Sequence, residues 1–255
     1  MIIKDLHTHT LYSDGKLKPE EVCSIAKAKG YLVGISDHCG EGSFQINSDD
    51  QFRHYLQALE RLPVFRSAEL DLGTEIRISR QLLDECDYLI GGVHSIGDLN
   101  FFDSQAQVTA PRAITEQLLD LIETKAQQHR FHILAHPGLL PLKLRPDAEK
   151  ILDNKWSQLL VGLALKYDFA LEISSRWELP GYETIQIALE AGVRFSLGSD
   201  GHDRGTVCLL DHSLAIVNKL GIAEENIFPG RRSADGEAVL DPFVEHPDPG
   251  GKHPG

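Results

Sequence analysis

Basic side chains are scarce in this chain: 25 lysines and arginines stand against 38 aspartates and glutamates, for a formal charge of −13 at pH 7. A long nucleic-acid duplex would meet a repulsive field, so nucleic acid is a disfavoured partner. Long hydrophobic runs are missing too. None approaches the ~20 residues needed to cross a bilayer, so no membrane partner is expected. Met1-Ile2-Ile3-Lys4-Asp5 lacks the charged and apolar regions of a secretory signal and reads as a first strand. The four cysteines, Cys23, Cys39, Cys86 and Cys208, form no Cys-x-x-Cys pair. Unpaired thiols and a cytoplasmic location are the expectation. There is no internal repeat, and no feature fixes an oligomeric state.

What the chain does have is alternation. Its 255 residues, 42% hydrophobic, suit one domain with a sizeable core. Apolar, β-branched runs fall at Ile2–Leu6, Leu32–Ser36, Val64–Glu69, Tyr88–Val93, His132–Ala135, Ala170–Ser174 and Arg194–Gly198. Amphipathic segments begin near Pro19, Asp49, Ser79, Pro111, Asp153, Gly181 and Gly205. Strand–helix alternation of this kind predicts an α/β fold with a mostly parallel sheet. From Pro229 onward proline and glycine dominate, so residues 1–228 are expected to form the domain and 229–255 a disordered tail.

Metal-ligating side chains sit where the apolar runs end. They are His7-Thr8-His9, Ser13-Asp14-Gly15, Ser36-Asp37-His38, Glu69, Val93-His94, Ala135-His136-Pro137 and Ser199-Asp200-Gly201-His202. One His-x-His means little, because 12 histidines in 255 positions give about half a pair by chance. The joint pattern is the signal. A closed barrel gathers the C-terminal ends of its strands around one mouth, whereas an open sheet fans them apart. Nitrogen and carboxylate donors together suit zinc, manganese or iron better than calcium or magnesium alone. Nine candidates exceed the four ligands of one structural zinc site, so two or three ions are expected.

As an ordered set these motifs, with His7-Thr8-His9-Thr10 first and Gly198-Ser199-Asp200-Gly201-His202 last, resemble the PHP (polymerase and histidinol phosphatase) superfamily from Met1 to about Leu220. The resemblance implies a distorted (β/α)7 TIM-like barrel with a trinuclear metal centre at the C-terminal ends of the strands. It implies hydrolysis of phosphate esters, by free-standing phosphatases or by nuclease and proofreading domains of DNA polymerases. Carried over by position, His7, His9, Glu69 and Asp200 would hold one ion. Glu69 would bridge to a second, held also by His94 and His136, and Asp14, His38 and His202 would hold the third. The position of Asp14 carries histidine in some relatives. The expected chemistry is in-line attack on phosphorus by a metal-bridging hydroxide. Glu69 and Asp200 would be central to it, with Arg176 as a planar fork for a non-bridging oxygen.

Other residues carry two readings each. Asp37 could orient His38 or cap a loop, and Asp71 could support the centre or lie on the surface. Trp177 could wall the pocket or sit in the core. Cys39 reads as a small buried residue. Tyr12, Lys16 and Arg204 default to surface roles. The loops Cys39–Asp49 and Gly97–Ala110 are expected to shape the pocket. A small phosphomonoester, as in histidinol phosphatases, is the expected substrate. The alternatives are a phosphodiesterase or exonuclease on nucleotides or nucleic-acid ends, and a non-catalytic metal-binding domain. Hydrolysis of carbon–nitrogen bonds is disfavoured, because related barrels commonly use a carboxylated lysine at a strand end and none is available here.

Overall fold

Backbone hydrogen bonds join seven strand positions into a ring in the computed structural model, which describes residues 2–230. The expected tail lies, from residue 231 onward, outside the described residues. In chain order the elements are β1 (Lys4–Asp5), α1 (Pro19–Lys29), β2 (Leu32–Ile35), β3 (His38–Cys39), α2 (Asp49–Leu59), β4 (Phe65–Arg66) and β5 (Glu69–Asp71). There follow α3 (Arg80–Leu83), β6 (Ile90–Gly92), β7 (Ser95–Ile96), β8 (Leu99–Asn100), α4 (Pro111–His129) and β9 (Ile133–Leu134). The chain continues through α5 (Ala148–Ile151), α6 (Asn154–Tyr167), β10 (Ala170–Ser174), α7 (Tyr182–Glu190), β11 (Phe195–Gly198) and α8 (Asp211–Leu220).

Two ladders build the ring, in the orders β1-β2-β4 and β11-β10-β9-β6-β5-β3, all parallel. They are halves of one barrel. β3 continues β2 beyond Ser36-Asp37, and β5 continues β4 beyond Ser67-Ala68. The third expected strand, Val64–Glu69, is therefore broken in its middle. Tyr55 of α2 fills the gap: its fully buried hydroxyl donates to the Ser67 carbonyl at 2.6 Å and lies 2.9 Å from that of Ile35. Ring closure comes from Leu6 N–H donating to the Leu197 carbonyl and His9 N–H to that of Gly201, both at 2.9 Å. The distorted α/β barrel read from the sequence is the fold observed.

Helix termini follow local chemistry. Pro19 opens α1, and Gly30 closes it at φ 69°, in the left-handed region where a side chain is costly. Ser48 caps α2 by accepting from Gln51 N–H, and Asp153 caps α6 by accepting from Trp156 N–H. The last helix departs from expectation. Asp203 accepts from Gly205 N–H and Thr206 Oγ1, closing a turn around Gly205, and α8 starts at Asp211. No helix among the described residues is long and apolar enough to cross a membrane.

The barrel interior is plugged by Leu6, Phe65, Tyr88, Ile90, Ile133, Ala135, Ala170 and Phe228. Strand side chains two residues apart share a face, so Glu172 stands one layer above Ala170 on the way to the mouth. The plug leaves no slack. Tyr88 is fully buried, and its hydroxyl donates to the Leu6 carbonyl at 2.6 Å, in the space that Gly34 leaves without a side chain. A Cβ on Gly34 would overlap that hydroxyl. Gly34→Ala should therefore destabilise the protein by about 1–3 kcal/mol in urea unfolding, the usual cost of overpacking. Tyr88→Phe removes the obstructing atom, so the double variant should lose less than the sum of the single losses. Strict additivity would contradict this packing.

Candidate metal centre

Strand registers bring distant ligand types together before any side chain is considered. His38 is the parallel partner of Glu69, and Glu69 of Ile90, placing β3, β5 and β6 side by side. All nine sequence candidates converge on this mouth. Glu69 lies at the middle, fully buried. Its Oε1 faces His136 Nε2 at 3.1 Å and His94 Nε2 at 3.5 Å. Its Oε2 faces His38 Nδ1 at 2.9 Å, His7 Nε2 at 3.2 Å and His9 Nε2 at 3.6 Å. Asp200 Oδ1 is 3.2 Å from His9 Nε2 and 3.4 Å from His202 Nδ1. Asp14, at the open side, is 3.1 Å from His202 Nε2 and 3.6 Å from His38 Nε2.

Three groups of donors have ligand atoms within 4.8 Å of one another: His9, Asp14, His38 and His202; His7, His9 and Glu69; and His38, Glu69 and His94. Metal ions fit these residues for two reasons. Six carboxylates are buried among the described residues (Asp5, Asp37, Glu69, Asp71, Glu172 and Asp200), with no buried lysine or arginine to offset them. Buried charge of one sign needs a counter-charge. In addition, His9 Nδ1, His38 Nδ1, His94 Nδ1 and Glu69 Oε2 are buried without a hydrogen-bond partner. The 2.9 Å approach of His38 Nδ1 to Glu69 Oε2 is close yet does not form a hydrogen bond, so neither atom is satisfied by the other.

The electrostatics agree. Burial pushes the Glu69 carboxyl up, but His7, His38 and His94 outweigh it and hold the group well below its ordinary value. Asp200 is likewise held low against burial, by His7 and His9 foremost. His7 and His9 present Nε2 atoms 3.0 Å apart, too close for both rings to carry a second proton. Burial and the neighbouring His38 lower His9 to about 3, leaving a neutral imidazole, the form that ligates.

Residues beside the nine were only partly visible in the sequence. Glu172 was missed: its Oε1 accepts from His7 Nδ1 at 2.7 Å and its Oε2 from His136 N–H at 2.6 Å. A carboxylate at the centre of the otherwise apolar strand Ala170–Ser174 was the available signal. Asp5 was missed as well. It accepts from Ser199 N–H and Oγ, Cys208 N–H and, at 3.4 Å, His7 N–H, tying the first strand to the last ligand loop. The period-2 series Asp5, His7, His9 was its signal. Asp37 caps the first loop, accepting from Thr10 N–H, Thr10 Oγ1 and Ser13 Oγ. Asp71 reaches the centre, 3.5 Å from His94 Nδ1.

Arg176 stands at the lip, 41% exposed, with Nη1 donating to the Asp200 carbonyl at 3.1 Å and lying 2.7 Å from His202 Nδ1. Trp177 donates its indole N–H to Asp200 Oδ2 at 2.6 Å, leaving Oδ1 to face the histidines. Arg204 pairs with Glu21 and Lys16 with Asp203, Tyr12 packs against His54 and Tyr55, and Cys39 is fully buried. A cavity of about 530 Å³ opens over the cluster, bordered by Arg176, Trp177 and parts of both expected loops, Glu41–Gln45 and Asn100 with Phe102.

The PHP domain family model matches residues 5–176. The chain is 24% identical over 246 residues to "Probable histidinol-phosphatase" of Clostridium acetobutylicum, covering 88% of this chain and 93% of that protein. It is 26% identical over 238 residues to "Probable phosphatase" of Syntrophotalea carbinolica, covering 88% and 90%. Against "DNA polymerase/3'-5' exonuclease PolX" of Bacillus subtilis it is 25% identical over 251 residues, 92% of this chain but 40% of that protein.

Glu172 has a consequence that can be measured. By accepting the Nδ1 proton of His7 it would leave Nε2 as the nitrogen that ligates a metal. Glu172→Gln can donate to Nδ1 instead and favour the wrong tautomer. Calorimetric metal titration should show affinity reduced by roughly 10–100-fold, with the far-ultraviolet circular dichroism unchanged. Unaltered affinity would remove this role from Glu172.

Proposed function

The chain belongs to the PHP domain family, and from that premise we propose that it releases phosphate from a small phosphomonoester, in the manner of a histidinol phosphatase. It is a metal-dependent hydrolase acting on phosphoric esters. The observation that carries the metal-assisted part of this reading is the division of Glu69, whose two oxygens face two different sets of histidines. That division supports a bridging role. His7, His9 and Asp200 would complete one site, His94 and His136 a second, and Asp14, His38 and His202 a third. The nitrogen-rich donor set suits zinc, manganese or iron.

When bound, such ions supply Lewis acidity toward phosphoryl oxygens and lower the pKa of a water nucleophile. The protein's own groups do the rest. Glu69 and Asp200 stay ionised, held so by neighbouring imidazoles. Glu172, paired with His7 Nδ1, would keep His7 in the tautomer whose Nε2 ligates. Arg176 has one guanidinium nitrogen tied back to the Asp200 carbonyl, and its Cζ lies over the Trp177 ring, 5.1 Å from the ring centroid. This anchoring fixes the fork while part of it remains exposed to the cavity, where it would bind a non-bridging phosphate oxygen as charge develops. A cavity of about 530 Å³ suits a small ester. The charge of −13 disfavours a long polyanion.

A phosphate-release screen across monoesters, nucleotides and single-stranded DNA tests the substrate class, with zinc, manganese or iron loaded in turn. Small monoesters should turn over fastest, and chelation should abolish turnover until metal is restored. Glu69→Ala should lower kcat by roughly a thousand-fold or more, about 4 kcal/mol of transition-state stabilisation. Arg176→Ala should cost roughly 10²–10³-fold. Full kcat in Glu69→Ala would contradict the bridging role. Faster cleavage of DNA ends than of any monoester would replace the substrate class with the phosphodiesterase reading.

A further inference from the structure

Trp177 is the one ring among the described residues that two guanidinium groups overlie, with Arg145 Cζ at 5.0 Å and Arg176 Cζ at 5.1 Å from its centroid. Arg176 borders the cavity above the centre, and Arg145 does not. Arg145 is half-buried. Burial lowers its pKa, and no acid offsets that shift. An arginine kept there without a carboxylate to pair with needs other partners.

Those partners are two carbonyls and two rings. Arg145 sits in the helical turn Leu142–Asp147, where its Nε donates to the Leu140 carbonyl at 2.8 Å and its Nη2 to that of Phe101 at 3.3 Å. The two bonds fix the plane of the guanidinium, whose Cζ lies over Phe102 at 5.2 Å as well as over Trp177. A lysine, a point charge on a flexible stem, offers no such plane.

Trp177 depends on outside support. It lies in the turn after β10, is only half-buried, and borders the cavity. Its ring neighbours are Phe102 at 6.0 Å, itself 44% exposed, and His136 edge-on at 6.3 Å. Yet its indole N–H reaches Asp200 Oδ2 at 2.6 Å, and Asp200 has the left-handed φ of 47°. So short a bond to a carboxylate requires the ring to keep one orientation.

We propose that Arg145 is a positioning residue of the metal centre: by clamping the Trp177 indole against the loop that follows His136, it keeps the indole N–H on Asp200 Oδ2 and Oδ1 towards His9 and His202. This rests on the metal-dependent reading of the same site and adds to it a residue that acts through another side chain. A guanidinium lying over a ring holds it without competing for its N–H.

Trp156 and Trp177 are the only tryptophans, so the chain has two indole N–H resonances, and the one lost in Trp177→Phe is that of Trp177. In the zinc-loaded protein its bond to a carboxylate should place that resonance downfield. Arg145→Gln keeps a side-chain donor for the Leu140 carbonyl but removes the cation from the rings. It should move the Trp177 resonance upfield, leave that of Trp156 in place, and weaken zinc binding by roughly ten-fold in calorimetric titration. In a Trp177→Phe background the same substitution should change zinc affinity by less than about two-fold, because the donor through which Arg145 acts is gone. If Arg145→Gln fails to fold, Arg145→Lys takes its place, since it keeps the charge and loses the planar fork. An unmoved Trp177 resonance, or an equal affinity loss with and without the indole, would reduce Arg145 to a staple between two loops and overturn the proposal while the metal centre stands. No uptake of zinc, manganese or iron by the unaltered protein would overturn the metal reading along with it.

Discussion

Negative charge buried inside the barrel with no buried lysine or arginine beside it is the constraint on which the remaining architecture turns. A buried carboxylate costs several kcal/mol unless it is paired or richly hydrogen-bonded. Six occur here, and two routes deal with them. Asp5 and Asp37 are surrounded by N–H and O–H donors from the strand ends and the first loop. Burial still raises both carboxyls above their ordinary value, so this route is incomplete. Glu69, Asp71, Asp200 and Glu172 are instead set against imidazoles, a donor set that fits divalent cations. The first route holds loops together, and the second makes a chemical centre.

Glycine is what lets the second route fit. A Cβ on Gly92 would overlap Glu69 Oε1, and one on Gly198 would overlap Glu172 Oε1. Each sits on a strand beside the one that carries the carboxylate, Gly92 beside β5 and Gly198 beside β10. The barrel thus trades side-chain packing at two points for acidic oxygens at the level of the histidines. The kinks at Ser36-Asp37 and Ser67-Ala68 serve the same end. They separate short lower ladders, which surround the apolar plug, from upper ladders that present His38 and Glu69 in register.

Much of this was legible from the sequence because the candidate ligand residues are polar interruptions at the ends of apolar runs. Each of the seven apolar runs contains strand, and His7, His9, Asp14, His38, Glu69, His94, His136, Asp200 and His202 do meet. What escaped has a common cause. Glu172 lies inside β10, and Asp5 lies inside the apolar run Ile2–Leu6 that the sequence offers as a strand, so a rule that looks for ligands just past such runs passes over them. The helix expected near Gly205 failed because Asp203 and Thr206 satisfy the local N–H groups in a turn, a competition that periodicity does not register. The break in Val64–Glu69 depends on Tyr55, which approaches from a helix and is invisible to any local pattern.

Two of the proposed ligands also break a backbone rule. His136 has φ 32° and Asp200 φ 47°, in the left-handed region that non-glycine residues enter at a cost. Neither is left to hold that conformation alone. His136 N–H is grasped by Glu172 Oε2, and the Asp200 carboxylate by the Trp177 indole, with its carbonyl taken by Arg176. The same Glu172 that pairs with His7 Nδ1 therefore also fixes the backbone of a second histidine across the barrel mouth. Likewise the Trp177 that donates to Asp200 packs against Phe102 at the cavity wall. Strain at the two ligand turns is offset by groups shared between them and their surroundings, so ligand geometry and pocket shape form one mechanical unit. A change at Glu172 or Trp177 would reach both, which is why the residues that touch no phosphate in this scheme are as confining as those that would.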